Sequence, residues 1–336
     1  MLEDREQRKR RAAGQAMGEF KLNFTGIGAA KAGTTWIAGC LADHPDVCMA
    51  LPKEANFFLR NHVSSCFPVP RYHDGMAHYH EGFEWYQQRF RHHKPGQLYG
   101  EFSNAYMGDP ESAGLIHAHN PNVKLLACFR NPADAAYAGY YQLSRVQPLS
   151  DVFEEFLEAY PHLLEYGRYH KNLQPFLKLF PREQIRFMLF DDIRPDPAAF
   201  YRGICEFLGI EFHASQRLGQ LVNPRTVLRS RTIRNLRCAV AGLMARSPAS
   251  RELRTRLSRL GAGKLALKLF RMNEKPGSVP PMRAETRRRL VEYYREDNEA
   301  LGEFLGRDLS HWNELPRGES AASASGASAL NETSLS

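Results

Sequence analysis

Apolar positions along the chain recur with two periods, and the switches between them outline alternating strands and helices. Leu22 and Phe24 sit two apart and lead into a glycine-bearing turn, Gly26-Ile-Gly28-Ala-Ala-Lys31-Ala-Gly33. Beyond it Trp36, Ile37, Cys40 and Leu41 recur on one helical face until His44-Pro45, so the pattern predicts strand, turn and helix. Val47 to Leu51 predicts a short strand, and Leu98-Tyr99 belongs to another that ends at Gly100-Glu101-Phe102-Ser103. The unbroken apolar run Leu125 to Phe129 predicts a buried parallel strand ending at Arg130-Asn131-Pro132, followed by a helix that carries Tyr137, Tyr140 and Tyr141. A further strand, Ile185 to Phe190, precedes Asp191-Asp192. Asp196-Pro197 then reads as a capping carboxylate with proline at the first helical position. Phe200, Ile204, Phe207 and Leu208 form that helix's inner face, and Gly209 ends it.

Strands alternating with helices predict an α/β fold, a P-loop-like three-layer α/β/α domain with a central, mainly parallel sheet. Such sheets bind ligands beyond the carboxyl ends of their strands, where the Lys31 turn and Arg130 both fall. Residues 61–96 are rich in His, Tyr, Pro and Phe and show no period. Helices are predicted near 232–245, 249–271 and 284–305, the last with Leu290, Tyr294, Leu301 and Leu305 on one face and Gly306 as its stop. The expected organisation is a disordered basic tail over 1–18, one domain over 19–316 with 223–275 as a basic helical insertion or lid, and a disordered Ser/Ala-rich tail over 317–336.

Charge sharpens this picture locally. The chain has 336 residues and a formal charge of +8. Residues 223–275 hold 14 Lys+Arg against Glu252 and Glu274, a local +12 that leaves the remainder at −4. A solvated helical face, a lid over an active site and a module that grips acidic polymers or anionic lipid are all compatible with such a run. Phe270 is its only aromatic residue, so base-stacking platforms are missing and specific nucleic-acid reading is not expected. The six cysteines (Cys40, Cys48, Cys66, Cys128, Cys205, Cys238) form no C-x-x-C pair and predict small buried hydrophobes in a reducing compartment. No segment approaches the roughly 20 apolar residues of a membrane span, and the charged first residues lack a signal-peptide core. The expectation is therefore a cytoplasmic protein, membrane-peripheral if the basic segment meets lipid.

The turn at Lys31 carries the candidate chemistry. A phosphate at a helix start meets backbone N–H groups and the positive end of the helix dipole. Small residues at Gly28, Ala29, Ala30, Ala32 and Gly33 let the backbone approach, Lys31 adds charge, and Thr34 and Thr35 add hydroxyl donors. By spacing alone the same turn could be a tight strand–helix connection. The Walker pattern fails because Lys31 precedes Gly33 instead of following it, and the dinucleotide fingerprint fails because Lys31 takes its third glycine position.

With these residues in view the sequence resembles the PAPS-dependent sulfotransferases (PAPS, 3′-phosphoadenosine 5′-phosphosulfate), nearest in style to bacterial members and the glycosaminoglycan-type branch. KAGTTW (31–36) resembles the K-x-G-T-S/T turn, which implies 5′-phosphosulfate binding by Lys31, Ala32, Gly33, Thr34, Thr35 and Trp36. PKEANFF (52–58) resembles the element with the catalytic carboxylate, implying Glu54 as general base; a histidine is the alternative base. LLACFRNPADAAYAGYY (125–141) resembles the 3′-phosphate element, with Arg130 as the ligand. The stretches 180–210 and 280–312 resemble the family's later strand–helix unit and closing helix, and Lys275 to Ser278 resembles a late loop that contacts PAPS. The resemblance implies in-line sulfuryl transfer to a hydroxyl or amine, with Lys31 also stabilising the leaving phosphate, adenosine 3′,5′-bisphosphate as product, and no metal. Lys53, Glu101 and Ser103 are candidates for lining the acceptor pocket.

One position departs from the family: Ala138 stands where a serine normally shares the 3′-phosphate, so Ser144, Arg145 or the basic insertion would have to substitute. The competing readings are a P-loop-like kinase using Asp191-Asp192 for Mg-ATP and a basic module that binds acidic polymers. Carbohydrate, lipid-linked saccharide and small natural-product acceptors all stay open, as does oligomeric state.

Overall fold

A computed structural model of the protein describes residues 20–60, 77–219, 226–243, 272–277 and 280–315. These fall into two compact units. The first holds the described residues up to Phe129 together with those from Asn172 to 219; the second holds Arg130–Lys171 and those from 226 onward. Both predicted tails, Ser278 and the whole of the predicted 249–271 helix lie outside the described residues.

The first unit is built on a five-stranded, wholly parallel sheet flanked by helices. Its strands are β1 (Phe24–Gly28), β2 (Val47–Met49), β3 (Leu98–Phe102), β4 (Lys124–Phe129) and β5 (Ile185–Leu189), in the order β2-β3-β1-β4-β5. β1 is central because all five of its residues are buried, leaving it no face for solvent. The chain builds β2 and β3 on one side of β1 and then crosses to β4 on the other, so the order reverses at β1. Open parallel sheets bind ligands at that place, outside the strand ends. β1 and β3 pair with Phe24 opposite Gly100 and Gly26 opposite Phe102, each ring seated over the facing glycine.

Helix α1 (Thr34–Ala42) follows β1 and packs against β2 and β3. Short α2 (Gly82–Gln87) and α3 (Ser112–His119) come next in this unit. The later helix, α7 (Pro197–Leu208), forms as its end signals predict. Asp196 accepts the Ala199 N–H at 2.9 Å, and Gly209 closes it in a left-handed conformation with φ 80°. Cys40, Cys48, Cys128 and Cys205 are buried free thiols; burial pushes Cys40 and Cys48 up to about 11.

The second unit begins with α4 (Pro132–Val146), whose N-terminus is capped by the Asn131 side chain accepting from Ala133 and Asp134. α5 (Phe153–Ala159) follows, and α6 (Tyr169–Leu177) starts in this unit and ends in the first. The unit's core joins Tyr140, Leu143, Phe153 and Phe156 to Leu290 and Tyr294 of the long helix that closes the described chain. Between them come β6 (Thr226–Leu228), α8 (Arg231–Leu243) and β7 (Glu274–Pro276), and that closing helix is α9 (Ala284–Leu305), stopped by Gly306. β6 and β7 pair antiparallel with Val227 opposite Lys275. Lys275 therefore stands in a strand where a loop was expected. α8 shows an inverted pattern: Arg234 is 4% exposed and donates to the Ser144 carbonyl, whereas Ile233, Leu236 and Val240 face solvent.

Candidate active site

The candidate site is assembled at the carboxyl ends of β1 and β3. After Gly28 the chain turns through Lys31, left-handed at φ 64°, and Gly33 at φ 80°. Gly33 is the N-cap of α1 and brings no side-chain cap; the Trp36 N–H donates back to the Gly33 carbonyl at 2.9 Å, and the N–H groups ahead of it keep their capacity for an anion. Glycine is required there on two counts. Its φ disfavours any Cβ, and an added Cβ would lie 2.8 Å from Ile193 Cδ1 and 3.1 Å from Phe190 Cδ2. Those residues flank Asp191-Asp192, which therefore sits beside the turn on the short 3₁₀ segment Phe190–Asp192.

The expected turn residues have unequal surroundings. Lys31 and Gly33 are partly exposed, Thr35 is exposed, and Ala32 and Thr34 are buried. Trp36 is 4% exposed, and its Nε1 donates to the Arg217 carbonyl at 2.9 Å, so it secures the segment after α7.

Glu54 comes next to this turn through Asn104. A Cβ on Gly28 would lie 3.4 Å from the Asn104 carbonyl oxygen, and Asn104 Nδ2 donates to Glu54 Oε1 at 2.8 Å. Lys53 Nζ donates to the same oxygen at 2.7 Å, with 26% and 37% side-chain exposure for Lys53 and Glu54. Both donors fall on Oε1, so Oε2 is the oxygen without a partner among the described residues. A half-exposed carboxylate with one oxygen anchored can take a proton from a substrate group in the same opening. Asn104 was missed by sequence reasoning. Its only signal was a polar residue directly after the strand end that carries Glu101 and Ser103.

Glu101 and Ser103 do not line an open pocket: both are 0% exposed. The Glu101 carboxylate accepts from the hydroxyls of Tyr86, Ser103 and Tyr106, the last at 2.6 Å. Burial pushes its carboxyl up, opposed by hydrogen bonds from Ser103, Tyr106 and Tyr86. Both faces of β3 are covered where Glu101 stands, so its carboxylate is enclosed by protein groups.

Arg130 follows β4 directly and belongs to the second unit, as does Lys275, which is exposed on β7. Of the proposed stand-ins for serine at Ala138, Ser144 donates to the Tyr141 carbonyl at 3.1 Å and Arg145 is paired with Glu274. Both side chains are thus engaged within their own unit.

A family model described as the sulfotransferase domain matches residues 27–231. Among curated relatives, heparan sulfate glucosamine 3-O-sulfotransferase 3B1 of Mus musculus is 28% identical over 194 residues, covering 55% of this chain and 45% of the relative. Bifunctional heparan sulfate N-deacetylase/N-sulfotransferase 2 of Homo sapiens is 28% identical over 205 residues, covering 56% of this chain and 22% of the relative. The chain thus spans less than half the length of these relatives. A solved sulfotransferase from Alicyclobacillus acidocaldarius superimposes with a TM-score of 0.58 at 22% identity, covering 88% of this chain and 100% of that one, a likeness of fold.

Proposed function

The chain belongs to the sulfotransferase domain family, and we propose that it moves a sulfuryl group from PAPS to a hydroxyl or amine of a saccharide, lipid-linked or small natural-product acceptor. The observation that carries the reading is the turn with Lys31 and Gly33 left-handed at the start of α1, joined through Asn104 to the Glu54 carboxylate. The glycine cradle suits a phosphosulfate: Gly28 and Gly33 both have positive φ, and a Cβ on either would meet a neighbour at 3.1 Å or less. The relatives' names point to a saccharide first, one to oxygen and one to nitrogen acceptors.

In this reading Glu54 removes the acceptor proton as the acceptor–sulfur bond forms and the bond from sulfur to the 5′-phosphate oxygen breaks. Lys31 and the N–H groups of the turn hold the charge that gathers on the departing adenosine 3′,5′-bisphosphate. Arg130 takes the 3′-phosphate, with Lys275 and Ser278 as further donor contacts, and Lys53 touches acceptor or sulfate. An intracellular location and contact of 223–275 with an anionic surface belong to the same proposal. They are supported by buried free thiols and by Ile233, Leu236 and Val240 exposed on a basic helix.

The test is transfer of labelled sulfate from PAPS across desulfated heparan sulfate, p-nitrophenyl glycosides and simple phenols, comparing wild type with Glu54→Gln. Loss of a general base should lower kcat by about 10²–10⁴-fold. Undiminished turnover in Glu54→Gln would remove the base assignment. No rise in Tm at saturating adenosine 3′,5′-bisphosphate would remove the donor site.

A further inference from the structure

We propose that Glu101, Ser103 and Tyr106 form a positioning device for Glu54, in which one buried carboxylate orients two hydroxyls that hold the loop bearing the base. The proposal rests on the reading of Glu54 as that base.

The loop needs such a device. Within three residues it places Glu54 at φ 62° and Asn56 at φ 49°. Residues with a Cβ rarely adopt this region, and it persists only where surroundings over-determine it. The surroundings come from the end of β3 and the turn after it. Glu54 N–H donates to the Phe102 carbonyl at 3.1 Å, Asn56 N–H to Ser103 Oγ at 3.0 Å, and Phe58 N–H to the Tyr106 hydroxyl at 3.2 Å. Asn104, between these residues, reaches the Glu54 carboxylate itself.

A hydroxyl has one proton and can rotate it, so by itself it is an undecided acceptor. Ser103 and Tyr106 are decided by Glu101, since both donate to its Oε1 and are left with lone pairs toward the loop amides. Tyr86 fixes the other oxygen, and its ring stacks on Phe57 of the same loop, with centroids 4.3 Å apart and planes 8° from parallel. Among the described residues Glu101 forms no ion pair; its partners there are these three hydroxyls, joined by the backbone N–H of Asn56 in the same loop, which also favours its charged form. A carboxylate buried without a cation is a costly choice for packing alone, and the acceptor-only character of its ionised form is what a proton-directing hub requires. The chain of contacts therefore runs from Glu101 through two oxygens to the backbone on the far side of Glu54.

Ser103→Ala and Tyr106→Phe each remove one of those oxygens. Each is measured for kcat and KM with PAPS and whichever of desulfated heparan sulfate or p-nitrophenyl glucosaminide wild type sulfates faster. Each should lower kcat about tenfold or more, because ångström-scale displacement of a reacting group has effects of that order. The KM for PAPS and the Kd for adenosine 3′,5′-bisphosphate should stay within about twofold, which also reports an intact fold. In a Glu54→Gln background the same substitutions should change the residual rate by less than about twofold, since a residue acting through Glu54 has nothing left to position. Equal losses in both backgrounds, or bisphosphate affinity falling in step with kcat, would make the network a general scaffold and overturn the proposal. Wild-type kcat in Ser103→Ala alongside a crippled Glu54→Gln would overturn it while leaving the base assignment standing. Full activity in Glu54→Gln would overturn that assignment instead.

Discussion

A single methyl group at Gly33 should separate the cost of crowding the phosphate turn from the cost of its backbone conformation. Gly33 has φ 80° and ψ 5°, and Gly209, at the end of α7, has φ 80° and ψ 31°. Alanine at either position pays the left-handed penalty of about 1–2 kcal/mol. At Gly209 little else is near, with Lys124 Nζ 3.9 Å from the added carbon. At Gly33 the carbon would come to 2.8 Å from Ile193 Cδ1 and 3.1 Å from the Phe190 ring. The isoleucine methyl can leave its rotamer at about 0.5–1.5 kcal/mol, whereas the phenylalanine directly follows β5 and has less freedom. Gly33→Ala should therefore cost about 2–3 kcal/mol in urea denaturation, against about 1–2 for Gly209→Ala. If the turn relaxes by rotating the peptides around residue 33, their N–H groups swing away from the anion. Calorimetric titration with adenosine 3′,5′-bisphosphate should then show affinity falling at least about tenfold in Gly33→Ala and not in Gly209→Ala. Equal destabilisation by the two substitutions would refute the crowding argument. Unchanged nucleotide affinity in Gly33→Ala would refute the placement of the donor.

Two further outcomes are expected. The folded state holds the Glu101 proton to higher pH than the unfolded chain, so its contribution is fully present below the ordinary value of 4.5 and is lost as pH climbs through the raised one. Glu101→Gln removes that dependence, so the stability of the variant relative to wild type should rise with pH above 4.5; urea melts showing the opposite slope would contradict the burial argument. Arg130→Ala should weaken adenosine 3′,5′-bisphosphate by about 10–150-fold, the value of a charged hydrogen bond, and leave adenosine 5′-phosphate nearly unchanged. Equal losses for both nucleotides would remove Arg130 from the 3′ end.

The parts legible in the sequence are those decided locally. The strand before Lys31, the run at Leu125–Phe129, the capped and stopped helix at 197–208 and the closing helix at 284–305 each carry their own signals, and each formed within a few residues of expectation. What stayed hidden depended on partners distant in sequence. Glu101 reads as polarity at a strand end, because nothing nearby announces that Tyr86 and Tyr106 will enclose it. Trp36 reads as part of the turn but is committed to a carbonyl 181 positions away. The positive φ of Glu54 and Asn56 has no glycine to advertise it. The β6–β7 pair arises in a stretch whose basic composition drowns a strand pattern only three residues long.

The facing rings and glycines of β1 and β3 settle a matter that hydrophobicity cannot. A strand buried on both sides has no wet face, so a slip of two residues would conserve every inside–outside assignment. Such a slip would bring Phe24 opposite Phe102, two bulky rings competing for the room that one glycine now provides. Shape thus acts as the ruler where polarity is silent. Because Phe24 and Gly26 lie on the same strand that ends at Gly28, the distance from the glycine cradle to the Glu54 loop is measured out by a lock-and-slot fit in the sheet beneath them.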